Sequence, residues 1–186
     1  MWSLTILLRH LELALRLHAA VPALPPEVAY DHAAAAVAAE TDQVPAELLL
    51  GIAFVESRFD PTAVSRVEGH TRRTGSYPTT EAPAQLDHHA ALFCGPLQTY
   101  AGSWSVCIGM RELSTGYTAG VGELQQWLRD PRVRGTTVRA LAGHGCGNFG
   151  VTTGRCNGYP ERVLDMARRL RPAPSREPTR RSVASS

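Results

Sequence analysis

The chain contains no lysine. All 19 of its basic residues are arginine, set against 17 acidic ones, so the net charge is only +2. So small an excess argues against a nucleic-acid binder, which would carry a strongly basic face. With the abundant alanine and glycine, it reads as the compositional bias of a GC-rich genome. Aromatic residues are few, at 6%, yet hydrophobic residues reach 44%, enough for a folded core and too many for a disordered chain. No run approaches the roughly 18 apolar residues that cross a bilayer, so no transmembrane segment is expected. The four cysteines include no C-x-x-C, which argues against a zinc site. Strand signals are scarce, so the expected class is mainly α. A length of 186 residues suggests one domain with tails.

The N-terminal stretch "MWSLTILLRHLELALRLHAA" resembles a signal peptide only superficially. Its start carries no charge, and Arg9, His10, Glu12 and Arg16 interrupt the apolar run that a signal needs. Leu4, Leu7, Leu8, Leu11 and Leu15 recur at helical spacing, which predicts an amphipathic helix over 1–24 that packs on its own domain or on a partner. Cys94, Cys107, Cys146 and Cys156 fall into two sequence-local pairs. Of three possible connectivities, Cys94–Cys107 with Cys146–Cys156 is preferred, the alternative being four free thiols. Each short loop is worth roughly 3 kcal/mol by chain entropy, and oxidised cysteines imply a working site outside the cytosol.

Residues 25–43 are alanine-rich with two prolines in the first turn, a helix. "VPAELLLGIAFVESRF" restarts one at Pro45, and Asp60-Pro61 stops it. Residues 66–84 read as a long surface loop or small hairpin, "QLDHHAALF" as one or two helical turns, and "CGPLQTYAGSW" as irregular. "TAGVGELQQWLRD" is helical up to Asp130-Pro131. "TTVRALAGHG" is a short helix broken by glycine, and "GCGNFGVTTGRCNG" a tight loop. "YPERVLDMARRL" closes the domain as a helix. Residues 172–186, rich in Pro, Ser and Arg, read as a disordered basic tail. Its arginines could meet nucleic acid or anionic wall polymers, but a solvated tail is the default.

Glu56 ends eight residues, Leu48 to Val55, that carry no polar side chain. On a helix, Leu49, Ile52 and Ala53 share its face, so the carboxyl points to the core or a cleft wall. Desolvation without a neighbouring cation penalises the charged form of such a group, and a protonated acid can donate to a leaving group. The plain alternative is an acid at a helix edge, reaching solvent.

Around Glu56 a series of short motifs runs in order: "ESRFDP" (56–61), "GPLQ" (95–98), "STGYTAGVGELQQWL", "AGHGCG" (142–147), and Tyr159 in "GYPERV". The series resembles that of the lytic transglycosylases and the related goose-type lysozymes, with a Glu-Ser signature, a Gly-x-x-Gln element, an Ala-Tyr-Asn-x-Gly element and a Tyr before the last helix. It covers about 44–170. The resemblance implies a mostly helical, lysozyme-like domain over 25–171 with a long glycan cleft. It implies Glu56 as the single catalytic acid/base, cleaving the bond between N-acetylmuramic acid and N-acetylglucosamine in peptidoglycan to leave a 1,6-anhydro end, with no cofactor and no metal. Ser57 and Gln98 would contact Glu56 or the sugar, and Tyr159 would orient the acid. Otherwise Ser57 satisfies backbone groups, Gln98 holds a turn and Tyr159 is core.

Two departures stand out. Gln98 lies 42 positions after Glu56 (56 to 98), farther than in the family. The intervening Glu68, Glu81 and Asp87 are therefore candidates for a second carboxylate that activates water, which would make the protein a lysozyme. His144 and Gly145 stand where the family has Tyr and Asn. His144 could bind sugar or simply pack. His88-His89 reads as solvated surface. A non-catalytic glycan-binding or virion component remains the competing reading. Disulfides, a wall substrate and no signal peptide fit an enzyme delivered by another machine, such as a bacteriophage tail or a secretion apparatus, on which the N-terminal helix could dock.

Overall fold

The computed structural model describes residues 4–68, 71–82 and 92–172. It is mainly helical, with a small antiparallel sheet inserted after the third helix. In chain order the elements are α1 (Leu4–Ala20), α2 (Pro26–Ala39), α3 (Ala46–Glu56), β1 (Ala63–Glu68), β2 (Thr71–Ser76), β3 (Leu92–Cys94), β4 (Thr99–Tyr100), α4 (Trp104–Gly109), α5 (Leu113–Arg129), α6 (Thr137–Thr153) and α7 (Tyr159–Leu170).

The apolar run dictates the centre. Ala46, Leu48, Leu49, Leu50, Gly51, Ile52 and Ala53 are all buried, so α3 is hydrophobic all round and must be enclosed. It packs against α2, α5 and α7. Contact with α7 is close enough that a Cβ on Gly51 would lie 2.6 Å from the carbonyl oxygen of Val163, so only glycine fits there. α3 stops at Glu56, four residues before Asp60, because Arg58 (φ 56°) and Phe59 (φ 67°) turn into the left-handed region. Arg58 leaves the acid and lies over the Phe54 ring, 4.0 Å from its centroid.

α1 packs on α2 and α7 and belongs to the same core, but not through the leucines the sequence singles out. His10, Leu13, Ala14 and Leu17 are its buried face. Leu4, Leu7, Leu8, Leu11 and Leu15 are all exposed. Spacing at 3 and 4 fits either stripe; which one is buried depends on how the helix is rotated against its neighbours.

The sheet has the order β2-β1-β3-β4. β1 and β2 form the hairpin within the segment expected to be a surface loop, with Ala63 opposite Ser76. β3 pairs on the other edge of β1, Val64 opposite Cys94. A second, smaller core of Val64, Leu92, Cys94, Ala101, Cys107 and Met110 lies under this sheet lobe. α4, which begins at the end of the stretch expected to be irregular, is capped by Ser103, whose hydroxyl accepts from the main-chain N–H of Val106. Both disulfides have the preferred connectivity: Cys94–Cys107 with Cα atoms 5.3 Å apart, and Cys146–Cys156 with Cα atoms 5.7 Å apart.

The glycine-rich region departs most from expectation. α6 is two helical segments meeting at a kink: the short helix broken by glycine is present, but the segment after the break, expected as a tight loop, is helical to Thr153. The break is confined to Gly147 (φ 56°, ψ −143°), a conformation open only to glycine, and the helix resumes beyond it. Asp87, His88, His89 and the tail after 172 lie outside the described residues. Among the described residues, no helix is long and apolar enough to cross a membrane.

Candidate functional site

A cleft of about 780 Å³ separates the sheet lobe from the helical body. Phe93, Thr99 and Tyr100 form its sheet wall; Glu123 and Trp127 of α5 and His144 of α6 face them. Glu56 lies against His144, with its carboxyl oxygen Oε1 3.9 Å from the ring nitrogen Nε2 and only 8% of its side chain exposed.

His144 is the hub. Its Nδ1 lies 3.0 Å from the Glu123 carboxylate and its Nε2 3.0 Å from the carbonyl oxygen of Leu97. Both partners are acceptors, and only an imidazolium can donate from both nitrogens. Burial alone would raise the Glu123 carboxyl. The His144 charge and hydrogen bond, with donors from the Tyr100 main chain and the Trp127 indole, outweigh it and hold Glu123 below its usual range. The chain thus brings two carboxylates to one histidine ring. Glu56 is therefore not an acid in a purely apolar wall: a basic ring stands beside it.

The other expected site residues divide between structure and site. The Ser57 hydroxyl is shared between the carbonyls of Pro96 (2.8 Å) and Ala53 (3.1 Å), joining α3 to the 95–98 turn. Gln98 does not face the cleft. It is 1% exposed, its amide nitrogen donates to the carbonyls of Ala63 and Gly95, and its oxygen accepts from Ser65. The left-handed φ of 51° at Gln98 shapes the turn. The Gly-x-x-Gln element reaches the site through its main chain, by the Leu97 carbonyl. His144 is not a free sugar contact either: its side chain is 1% exposed and both nitrogens are engaged within the protein. Tyr159 is buried at the start of α7, with its ring centroid 6.3 Å from that of His144. The Cys146–Cys156 bond ties the segment after His144 to the turn before Tyr159.

Of the carboxylates considered for a second role, Glu81 is exposed at the surface, Asp87 lies outside the described residues, and of Glu68 only the backbone is described, at the end of β1. The acid at the cleft is Glu123, which the sequence reading passed over. A faint signal was present: Glu123 follows Gly116 and Gly120 at helical spacing, on the side of α5 where the chain closes against the Met110 and Leu97 segments.

A second buried polar cluster supports the core behind the site. His32 of α2 is 1% exposed, and its Nδ1 lies 2.9 Å from the Tyr117 hydroxyl. Burial pushes Tyr117 well above its usual value, so its O–H is the donor. Burial also lowers His32 to about 4, against a hydrogen bond to the Phe59 main chain that opposes the shift. Among the described residues, no group of three or more His, Cys, Asp or Glu side chains is placed to hold a metal ion. No protein-family model, no curated protein and no solved structure matches the chain.

Proposed function

We propose that this protein cleaves the glycan strands of peptidoglycan as a lytic transglycosylase, with Glu56 as the acid/base. The observation that carries the reading is the placing of Glu56. It is a nearly enclosed carboxyl at the end of the central helix, where the helical body meets a sheet lobe, against a residue that lines a glycan-sized cleft. Such an arrangement of helices, sheet and acid is what a lysozyme-like domain requires.

Glu56 would protonate the oxygen leaving the anomeric carbon of N-acetylmuramic acid and then, as carboxylate, accept the proton of the 6-hydroxyl as it closes the 1,6-anhydro ring. Phe93, Tyr100 and Trp127 would offer apolar faces to the sugars. Glu123 favours a second reading. A carboxylate facing the cleft could activate water from the far side of the sugar, which would make the protein an inverting muramidase. Action at the bacterial wall or periplasm, with delivery by a phage or secretion assembly, belongs to the same proposal.

The test is mass spectrometry of muropeptides released from purified peptidoglycan by wild type and Glu56→Gln. Anhydro ends from wild type alone are expected. Reducing ends would replace the transglycosylase with the muramidase. Equal release by Glu56→Gln would remove Glu56 from the mechanism. Wall binding without release, across several wall types, would leave a glycan-binding module.

A further inference from the structure

We propose that Glu123 is a positioning residue that holds His144 as an imidazolium against Glu56. This rests on the reading of Glu56 as the acid/base and adds a control of its charge. Four of the groups around the His144 ring bear on its protonation. Glu123 of α5 accepts from Nδ1, Leu97 accepts from Nε2 through its carbonyl, Glu56 of α3 stands 3.9 Å from Nε2, and Tyr159 of α7 lies alongside the ring. A neutral imidazole has one N–H and would leave one of its two 3.0 Å acceptors facing a lone pair. With the side chain 1% exposed, water cannot readily replace the lost donor.

The consequence lies at Glu56. Its carboxyl oxygen faces the ring 3.9 Å away, so the charge of His144 acts directly on the proposed acid/base. The Glu123→Gln variant undoes this without emptying the site. The Gln amide can donate to Nδ1 while Nε2–H still donates to Leu97, so a neutral His144 is then fully satisfied.

The experiment is ¹⁵N NMR of the His144 ring across pH in the intact protein, in wild type, Glu123→Gln, Glu123→Asp and Glu56→Gln. Wild type is expected to remain doubly protonated at pH 7. Glu123→Gln should titrate at least about one pH unit lower, Glu123→Asp should stay close to wild type, and Glu56→Gln should shift downward by a smaller amount because the coupling is reciprocal. A neutral ring in wild type at pH 7, or a Glu123→Gln titration that coincides with it, would overturn the proposal. If Glu56→Gln leaves the titration unmoved, the ring is not held against Glu56 and the proposal fails in that half. The same variants assayed on peptidoglycan should show the pH profile of kcat/KM changed in Glu123→Gln and restored in Glu123→Asp. Should wild type release no fragments, the enzymatic reading falls while the NMR titrations still decide the charge of His144.

Discussion

In the helical body, Leu49, Leu50 and Ile52 of α3 are enclosed by α2, α5 and α7 and share one core with Leu13, Leu17, Val163 and Leu170 from the two ends of the chain. In the sheet lobe, six buried residues make the core among the described residues, and two of them are the disulfide pair Cys94–Cys107. A small lobe cannot remove enough apolar surface from water to repay the entropy of ordering its chain, and a covalent tie offsets the shortfall. The cleft lies where the two regimes meet. Its floor inherits rigidity from the body, and its far wall depends on a cross-link.

The largest effect that sharpens this contrast should come from Leu49→Ala. It removes a fully buried side chain from the body and should cost about 2–5 kcal/mol of unfolding free energy in denaturant titrations. A cost below 1 kcal/mol would mean the body is as loosely held as the lobe. Replacing Cys94 and Cys107 together by Ser should cost about 3 kcal/mol. Amide exchange should rise first in 63–68, 71–76 and 92–110 and leave α3 and α7 protected. Uniform exchange across both regions would break the division into two lobes.

The body also contains its own weakness in acid. His32 titrates near 4 when folded and near 6.5 when unfolded, so the unfolded chain binds the proton first as pH falls. The stability that comes from keeping this ring neutral is intact above pH 6.5 and is lost progressively down to about 4. At pH 5 the loss should be about 2 kcal/mol, read by urea unfolding at pH 7 and pH 5. A variant without the histidine, His32→Asn, should lose this slope whatever its stability at pH 7. The smallest effect is expected on the outer face of α1. Leu11→Gln exchanges an exposed apolar side chain for a polar one and should change monomer stability by no more than about 0.5 kcal/mol. The equivalent change at Leu13, 1% exposed, should be severe.

The candidate site was legible in part. Glu56 announced itself because an acid ending an eight-residue apolar run is a local anomaly, and the cysteine pairs because each closes a short loop. His144 was noticed for its position and Gln98 for its motif, yet their roles exchanged on folding. Gln98 turned inward to hold the 95–98 turn, and His144 became the link between two carboxylates. Glu123 was missed because, along the chain, it is one more acid on an amphipathic helix. The glycines at 116 and 120 are too faint a signal to tell it apart until α6 brings His144 to 3.0 Å.

The sequence by itself determined the mainly helical class, the burial of α3, the hairpin allowed for in 66–84 and the preferred disulfide partners. Each of these follows from local chemistry: hydrophobic periodicity, turn-forming residues and short loop closure. Only the tertiary structure decided which stripe of α1 faces inward, that α3 ends at Glu56, that the chain turns helical again beyond the kink at Gly147, and that Glu56, His144 and Glu123 meet. Those outcomes depend on helix rotation and on contacts between residues far apart in the chain, where many arrangements satisfy the same local pattern and only packing selects among them.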